Sequence, residues 1–212
     1  DEASPEPGGS SAPGILLTRE DLLAAAYLPR TLGLPLPDDS MGVTIHRLSN
    51  GMTVYISPNR QKPRFSAWIA VRAGSRNEYP GITGLSHFFE HMMFLGTSNL
   101  EPGEFDRTME AAGGANNAYT SSDVTVYMDW FPVSALETIF EIEADRFQNL
   151  ETYADAVQSE REVVYSERRS SVDNDNFSRL AEQMQATAFV AHPYQFPVIG
   201  WPSDIESWTE DD

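Results

Sequence analysis

The stretch that decides the fold is GLSHFFEHMMFLGT, residues 84–97, where two histidines and a glutamate interrupt an otherwise apolar run. We predict a helix here, with Thr83 as its N-cap and Gly96 at its C-terminal end. Apolar side chains point in nearly every direction around this helix, which predicts that it is buried on all sides. These side chains are Leu85, Phe88, Phe89, Met92, Met93, Phe94 and Leu95.

The polar residues of this helix need partners if the helix is buried. His87 and His91 are four residues apart and share one face, and Glu90 lies beside them. Burying a polar group without a partner costs about 2–7 kcal/mol. Imidazoles at positions i and i+4 can converge on one metal ion. A lone buried histidine is more often a hydrogen-bonded core residue, but two at this spacing with an acid between them favour a metal site.

A further ligand is expected from VQSEREVVYSERRSS, residues 157–171. Glu160 and Glu167 fall on the same helical stripe as Val157 and Val163 or Val164, a stripe that normally faces a core. The spacing alone leaves two interpretations open: metal ligation, and salt bridges to the neighbouring arginines. The chain has no cysteine, so any metal must be held by histidine and carboxylate groups.

The order of the remaining elements predicts an α+β fold, a mostly antiparallel β-sheet with helices packed on one face. Two hairpins, at residues 43–57 and 116–130, and a strand at residues 64–74 supply the sheet. Pro132 is expected in the first turn of a helix that runs to residue 150. The other predicted helices cover residues 102–114, 155–171 and 176–191.

Composition divides the chain into two parts. Residues 1–40 predict a flexible Pro/Gly/Ser-rich leader with a short helix, and residues 41–212 a single domain. Thr209 is a good N-cap followed by an acidic turn, which predicts that the domain is truncated at its C-terminal end. The leader resembles a flexible stem and favours an exported protein, periplasmic or extracellular, over a cytoplasmic one.

Charge and hydropathy exclude some classes of partner. The formal net charge of -18 predicts that nucleic acids and anionic membrane surfaces are repelled. No apolar run approaches the roughly 18–20 residues of a transmembrane helix. We therefore expect no nucleic-acid partner and no membrane span.

The motifs together resemble the pitrilysin/insulysin family of zinc metallopeptidases. The H-x-x-E-H pattern at residues 87–91 is an inverted zinc-peptidase signature, and Glu160-x6-Glu167 follows after a long gap. The resemblance extends over about residues 43–209, in the order of the family's sequence blocks. These blocks are RLSNGMTVYI, VRAGSRNEYPGITGLSHFFEHMMFLGT, GGANNAYTSSDVTVY, LETIFEIEADR, EREVVYSERR and HPYQFPVIGWPSDI.

The resemblance implies a role for each matching residue of the site. His87, His91 and Glu167 correspond to the ligands of one Zn²⁺ per chain. Glu90 corresponds to the general base, and Glu160 to an acidic residue that supports a ligand from behind.

The resemblance also implies the substrate and the partners. Asn117 and Ala118 correspond to a strand that presents backbone groups to an extended peptide, from a peptide or an unfolded protein substrate. Members of the family pair this type of domain with a second homologous domain or subunit that completes the site. The function implied is a zinc-dependent endopeptidase, with low activity for this part alone. The alternative is a non-catalytic structural or partner subunit, but such subunits typically lose a ligand or the base, and all four positions are filled here.

Overall fold

A computed structural model describes residues 39–210 and residue 212. Residues 1–38 of the predicted leader, with its short helix, lie outside the described residues. The chain divides between Lys62 and Pro63 into two units. The first unit contributes the predicted hairpin, in which β1 (Thr44–Arg47) pairs antiparallel with β2 (Thr53–Ile56).

The second unit contains a three-stranded antiparallel sheet of β3 (Arg64–Val71), β4 (Ala115–Thr120) and β5 (Thr125–Pro132). The strand order is β3-β5-β4, so β5 lies in the centre and the chain from residue 125 to residue 129 is buried. Within the described residues β4 pairs only with β5, so its outer edge keeps free backbone groups. All described strand pairs are antiparallel, as predicted.

Helices account for most of the rest of the second unit, and the α+β class is confirmed. Two of the described α-helices lie between β3 and β4 in the chain, and the other four follow β5. In chain order they are α1 (Leu85–Met92), α2 (Glu104–Ala111), α3 (Leu136–Gln148), α4 (Ala154–Arg168), α5 (Asn176–Ala188) and α6 (Pro202–Ile205). Among the described residues, no helix combines the length and the hydropathy that crossing a membrane requires.

Two apolar clusters hold these elements together. The first joins α1 to α4 and to the C-terminal end of the chain, through Phe88, Met92, Val157, Val164, Ile205 and Trp208. The second packs α2 and α3 under the sheet, through Phe105, Met109, Phe131, Ala135, Ile139 and Ile142. The first cluster matters for function because it fixes the distance between the two helices that carry the predicted metal ligands.

The start of α1 differs from the prediction, because Thr83 is not its N-cap. The cap is Gly84, in the left-handed region at φ 90°, and the carboxylate of Glu78 accepts hydrogen bonds from the N–H groups of Gly84 and Ser86, each 2.7 Å long. The Thr83 hydroxyl instead donates to Asp204 at 2.6 Å. A carboxylate at a helix N-terminus satisfies free N–H groups and also complements the helix dipole.

The end and the surface of α1 also differ from the prediction. The helix ends at Met92, and Gly96 lies in the loop beyond it. Phe89 is 52% exposed, so the expectation that α1 is buried on all sides is wrong. Phe88 and Met92 take the buried positions because they pack against Val157 and Val164 of α4, in a cluster that does not include Phe89.

Two boundaries after β5 are shifted. Pro132 is the last residue of β5 rather than a residue of the first helical turn, and α3 begins only at Leu136 after a short 3₁₀ turn. A proline is tolerated at a strand end, where its missing N–H breaks no ladder hydrogen bond in the interior. The charged helix α4 ends at Arg168 and continues as a π-helical turn, Arg169–Asp173.

Candidate metal centre

Two imidazole nitrogens from α1 and one carboxylate oxygen from α4 form a small triangle. His87 Nε2 and His91 Nε2 are 3.3 Å apart, and Glu167 Oε2 lies 3.7 Å from the first and 3.5 Å from the second. Two ligands bound about 2.0–2.1 Å from a tetrahedral zinc ion lie about 3.3–3.4 Å apart. The triangle therefore has the size of a zinc site with one position left over.

The fold brings this triangle together through α1 and α4. His87 and His91 face α4 because Phe88 and Met92, on the adjoining face of α1, pack against Val157 and Val164. Glu167 reaches the histidines from the second last position of α4. Among the described residues, this is the one group of three that could hold a metal ion.

In the part of the chain that the structure describes, the arginines of α4 form no salt bridges with Glu160 or Glu167, so the alternative interpretation of these carboxylates does not hold. Arg168 pairs with Glu182 at 2.8 Å and with Asp173 at 3.4 Å. Arg161 donates to the carbonyl of Trp208 and to the side chain of Gln158. Both arginines point away from the triangle and leave the Glu160 and Glu167 carboxylates to the histidines.

Glu160 lies behind His91. Its Oε1 is 2.8 Å from His91 Nδ1, and its side chain is 14% exposed. A carboxylate that accepts a hydrogen bond from Nδ1–H leaves the lone pair of Nε2 free, and Nε2 is the atom in the triangle. The Glu160 contact therefore favours the tautomer with the proton on Nδ1, in which Nε2 is available to a metal ion.

The electrostatics of the triangle favour a bound cation. The carboxylates of Glu160 and, second, Glu167, which accept hydrogen bonds from the imidazole, raise the pKa of His91 to about 9. Burial lowers the pKa of His87, and the hydrogen bond to His91 lowers the pKa of the Glu167 carboxyl. The carboxylates thus create a negative field at the imidazoles. A bound divalent cation would be stabilised by that field. The donor set of the triangle, two imidazoles and one carboxylate, suits zinc.

Glu90 is on the same helix but outside the triangle. Its side chain is buried, and its Oε2 accepts a hydrogen bond from the Thr120 hydroxyl. Burial raises the pKa of the Glu90 carboxyl, and the Thr120 hydrogen bond opposes that effect. A buried carboxyl with a raised pKa beside a candidate metal site is a candidate general base.

Asn117 and Ala118 lie in β4, the edge strand next to α1. The Ala118 N–H donates to the side-chain oxygen of Asn117 at 2.9 Å rather than to β5. This N–H therefore belongs to the free edge, where another strand could pair with it.

Sequence reasoning missed two residues near the site. Glu78 caps α1, and Thr120 contacts Glu90. Glu78 lies six residues before the helix cap, a spacing that matches no known capping motif. Thr120 was visible only as a polar residue at the end of a predicted strand.

Known proteins resemble most of this chain. The profile of the insulinase family, peptidase family M16, matches residues 53–200. The zinc protease PqqE of Helicobacter pylori is 37% identical over 163 residues, which cover 76% of this chain and 37% of that protein. A probable mitochondrial-processing peptidase subunit beta of Schizosaccharomyces pombe is 33% identical over 165 residues, 78% of this chain and 36% of its own.

The fold gives the same result. The crystal structure of a protease from Helicobacter pylori superposes with a TM-score of 0.78 and 36% identity, over 80% of this chain and 41% of that one. The chain thus spans well under half the length of these relatives. The profile match contains the H-x-x-E-H motif and, on α4, Glu160 and Glu167. This chain belongs to the insulinase family of peptidases, peptidase family M16.

Proposed function

We propose that this chain is the zinc-binding catalytic part of an endopeptidase. The observation that carries the proposal is the triangle of His87 Nε2, His91 Nε2 and Glu167 Oε2, with edges of 3.3–3.7 Å and a buried Glu90 beside it. A non-catalytic subunit of the same fold would have no need of both a complete ligand set and a base.

The proposed chemistry divides the roles among these residues. A zinc ion held by the triangle would supply a Lewis acid that acidifies water and polarises the peptide carbonyl. Glu90 takes the proton from the attacking water and gives it to the departing amine nitrogen. Glu160 keeps His91 in the ligating tautomer. No covalent bond between protein and substrate is required.

The proposed substrate is an extended peptide segment. Such a segment can pair with the free edge of β4, where the N–H of Ala118 is held only by the adjacent Asn117 side chain. The peptide backbone would displace that side chain and add a strand to the sheet. Recognition through backbone groups fits a peptide or an unfolded protein better than a folded surface.

We further propose that a second homologous domain or subunit completes the site. The relatives named above are more than twice as long as the matched region, and one of them is named as a subunit. In this chain Glu167 is 43% exposed on its side chain, so the triangle is open on the α4 side. A second domain would exclude water there, which strengthens electrostatic interactions with a bound substrate.

Removal of a ligand tests the metal assignment. We expect the wild-type protein to bind close to one zinc ion per chain, and His91→Ala and Glu167→Ala each to lose most of it. The reason is that two remaining ligands cannot close a tetrahedral site. Zinc content after gel filtration measures the result. The matched control is Glu162→Ala on the exposed face of α4, which should retain zinc. Unchanged zinc in either ligand variant would show that the assignment is wrong.

The role of Glu160 can be tested separately. We expect Glu160→Gln to weaken zinc binding by about 10–100-fold, because outer partners of ligating histidines contribute at that level. Competition with a chromophoric chelator gives the dissociation constant. Glu162→Gln, two residues further along α4 and exposed, should leave that constant unchanged. An equal effect of the two substitutions would mean that the 2.8 Å contact with His91 has no special role.

A further inference from the structure

We infer that Thr120 is a positioning residue that fixes the orientation of the Glu90 carboxylate. The inference rests on the proposed function, in which Glu90 is the base. It adds a residue of the β-sheet, 30 positions away from Glu90, to the machinery of the site.

The first observation is the contact itself. Glu90 is 8% exposed, and among the described residues its carboxylate accepts a side-chain hydrogen bond only from Thr120. The acceptor is Oε2. A glutamate has three side-chain torsions, and one strong anchor on the carboxylate removes most of their freedom. The anchor therefore decides where the second oxygen, Oε1, points.

The second observation is the direction of the neighbouring hydrogen bonds. The Thr125 hydroxyl lies 3.2 Å from the Thr120 hydroxyl and 3.1 Å from the carbonyl oxygen of Ala73. The Ala73 carbonyl can only accept, so it takes the single hydrogen of Thr125. The hydrogen of Thr120 is then left for Glu90, and no hydrogen remains for a bond between the two hydroxyl oxygens.

These directions assign different tasks to the two carboxylate oxygens. Oε2 accepts the hydrogen bond from the Thr120 hydroxyl and is therefore a poorer acceptor for a further proton. Oε1 remains for the proton of the attacking water, and the same oxygen later returns it to the amine nitrogen of the leaving group. The proton leaves the water and ends on the amine, so the protonation state of Thr120 does not change.

Thr120 is also placed to link the base with substrate binding. It is the last residue of β4, two positions after Ala118, and pairs with Thr125 at the closed end of the hairpin. A peptide that pairs with the free edge of β4 would order the strand that holds the base. The anchor of Glu90 and the proposed peptide-binding edge are therefore parts of one element.

The test compares three threonine variants in the protein at its full natural length. Thr120→Val keeps the shape but removes the donor, and we expect kcat to fall by about 10–100-fold, the size of effect that outer partners of metal-ligating residues show, with little change in KM. Thr120→Ser restores the hydroxyl and should recover most of kcat. Thr125→Val is the matched control, a buried threonine at the same hairpin end without a bond to Glu90, and should keep kcat near the wild-type value.

A second measurement does not depend on activity. Zinc content should be the same in all three variants, because none of them touches a ligand. A crystal structure of Thr120→Val should show the Glu90 carboxylate in a different or a second rotamer, and Thr120→Ser the original one.

The outcomes separate this inference from the proposed function. If Thr120→Val keeps both kcat and the Glu90 rotamer while Glu90→Gln is inactive, Thr120 is not a positioning residue and the endopeptidase assignment stands. If Thr125→Val loses as much kcat as Thr120→Val, the effect belongs to the hairpin end and the inference is also overturned. If zinc-loaded wild-type protein cleaves no peptide, the proposed function itself fails.

Discussion

The Glu90→Gln substitution should lower kcat by about 10²–10⁴-fold, the range expected for the loss of a positioned general base. Glutamine has the size of glutamate and can still accept the Thr120 hydrogen bond, but its amide cannot take a proton from water. Zinc content should stay near one per chain, because Glu90 is outside the ligand triangle. Peptide hydrolysis by the full-length protein and metal analysis of the same sample measure the two quantities.

A matched control is available on the neighbouring helix. Glu110 is an exposed glutamate of α2, and Glu110→Gln should change neither activity nor zinc content. Loss of zinc in Glu90→Gln would make Glu90 a ligand. Full activity in that variant would remove this residue from the mechanism.

The second large effect concerns stability. Arg146→Met should lower the free energy of unfolding by about 3–5 kcal/mol above neutral pH, because it leaves a buried carboxylate without its partner. The guanidinium is 1% exposed, and its Nε donates to Glu143 at 2.9 Å. Asp129, on β5, is fully buried nearby, and burial raises the pKa of its carboxyl.

Aromatic rings enclose the same guanidinium. The Arg146 side chain lies over the rings of Phe105, Tyr127 and Phe94, with centroid distances of 4.3, 4.8 and 5.0 Å. Cation–π contacts of this kind join α3 to α2, to β5 and to the loop that follows α1. Methionine can fill part of the volume but offers neither the charge nor the hydrogen bonds.

The pH dependence of this effect follows from Glu143. Burial raises the pKa of its carboxyl from the usual 4.5 to about 7, although Arg146 opposes the shift. Between these two values the folded protein keeps a proton that the unfolded chain has released. The free energy of unfolding therefore falls as the pH rises through this window. Without Arg146 the pKa of Glu143 is higher still, so the loss caused by Arg146→Met should be larger at pH 8 than at pH 5.

Denaturant unfolding at the two pH values measures both effects. Arg107→Met, an exposed arginine of α2, is the control and should leave the unfolding midpoint nearly unchanged at either pH. A midpoint shift in Arg146→Met as small as that of the control would show that the buried cluster contributes little to stability. A shift of the same size at both pH values would contradict the role of Glu143.

The histidine pair of the proposed metal site could be predicted because its pattern is local on a helix. His87 and His91 must share a face at a spacing of four residues, whatever the surroundings. Glu160 and Glu167 were visible as carboxylates on a stripe that also holds Val157 and Val164. The sequence could not decide between metal ligation and a salt bridge for them, since the partners of a side chain depend on which helix packs opposite.

The contacts made by residues distant in sequence were not predictable. The Glu78 carboxylate replaces Thr83 as the cap of α1, and Thr83 bonds instead to Asp204, 121 positions away. The exposure of Phe89 depends on the packing direction of α1, which its apolar composition does not reveal. In each case the local pattern permits two outcomes, and a neighbour from another element selects one.

By itself the sequence determined the class of the fold, the helix that carries the H-x-x-E-H motif and the two histidines on one of its faces. These features follow from periodicities of 3.6 and 2 residues, which act over a few positions. Only the tertiary structure decided that Glu167 completes a triangle with 3.3–3.7 Å edges, that Glu160 holds His91 from behind and that Thr120 reaches Glu90. The physical reason is that apolar burial between α1 and α4 sets the distance between the two helices. Side chains some 70 positions apart meet only once that core has formed.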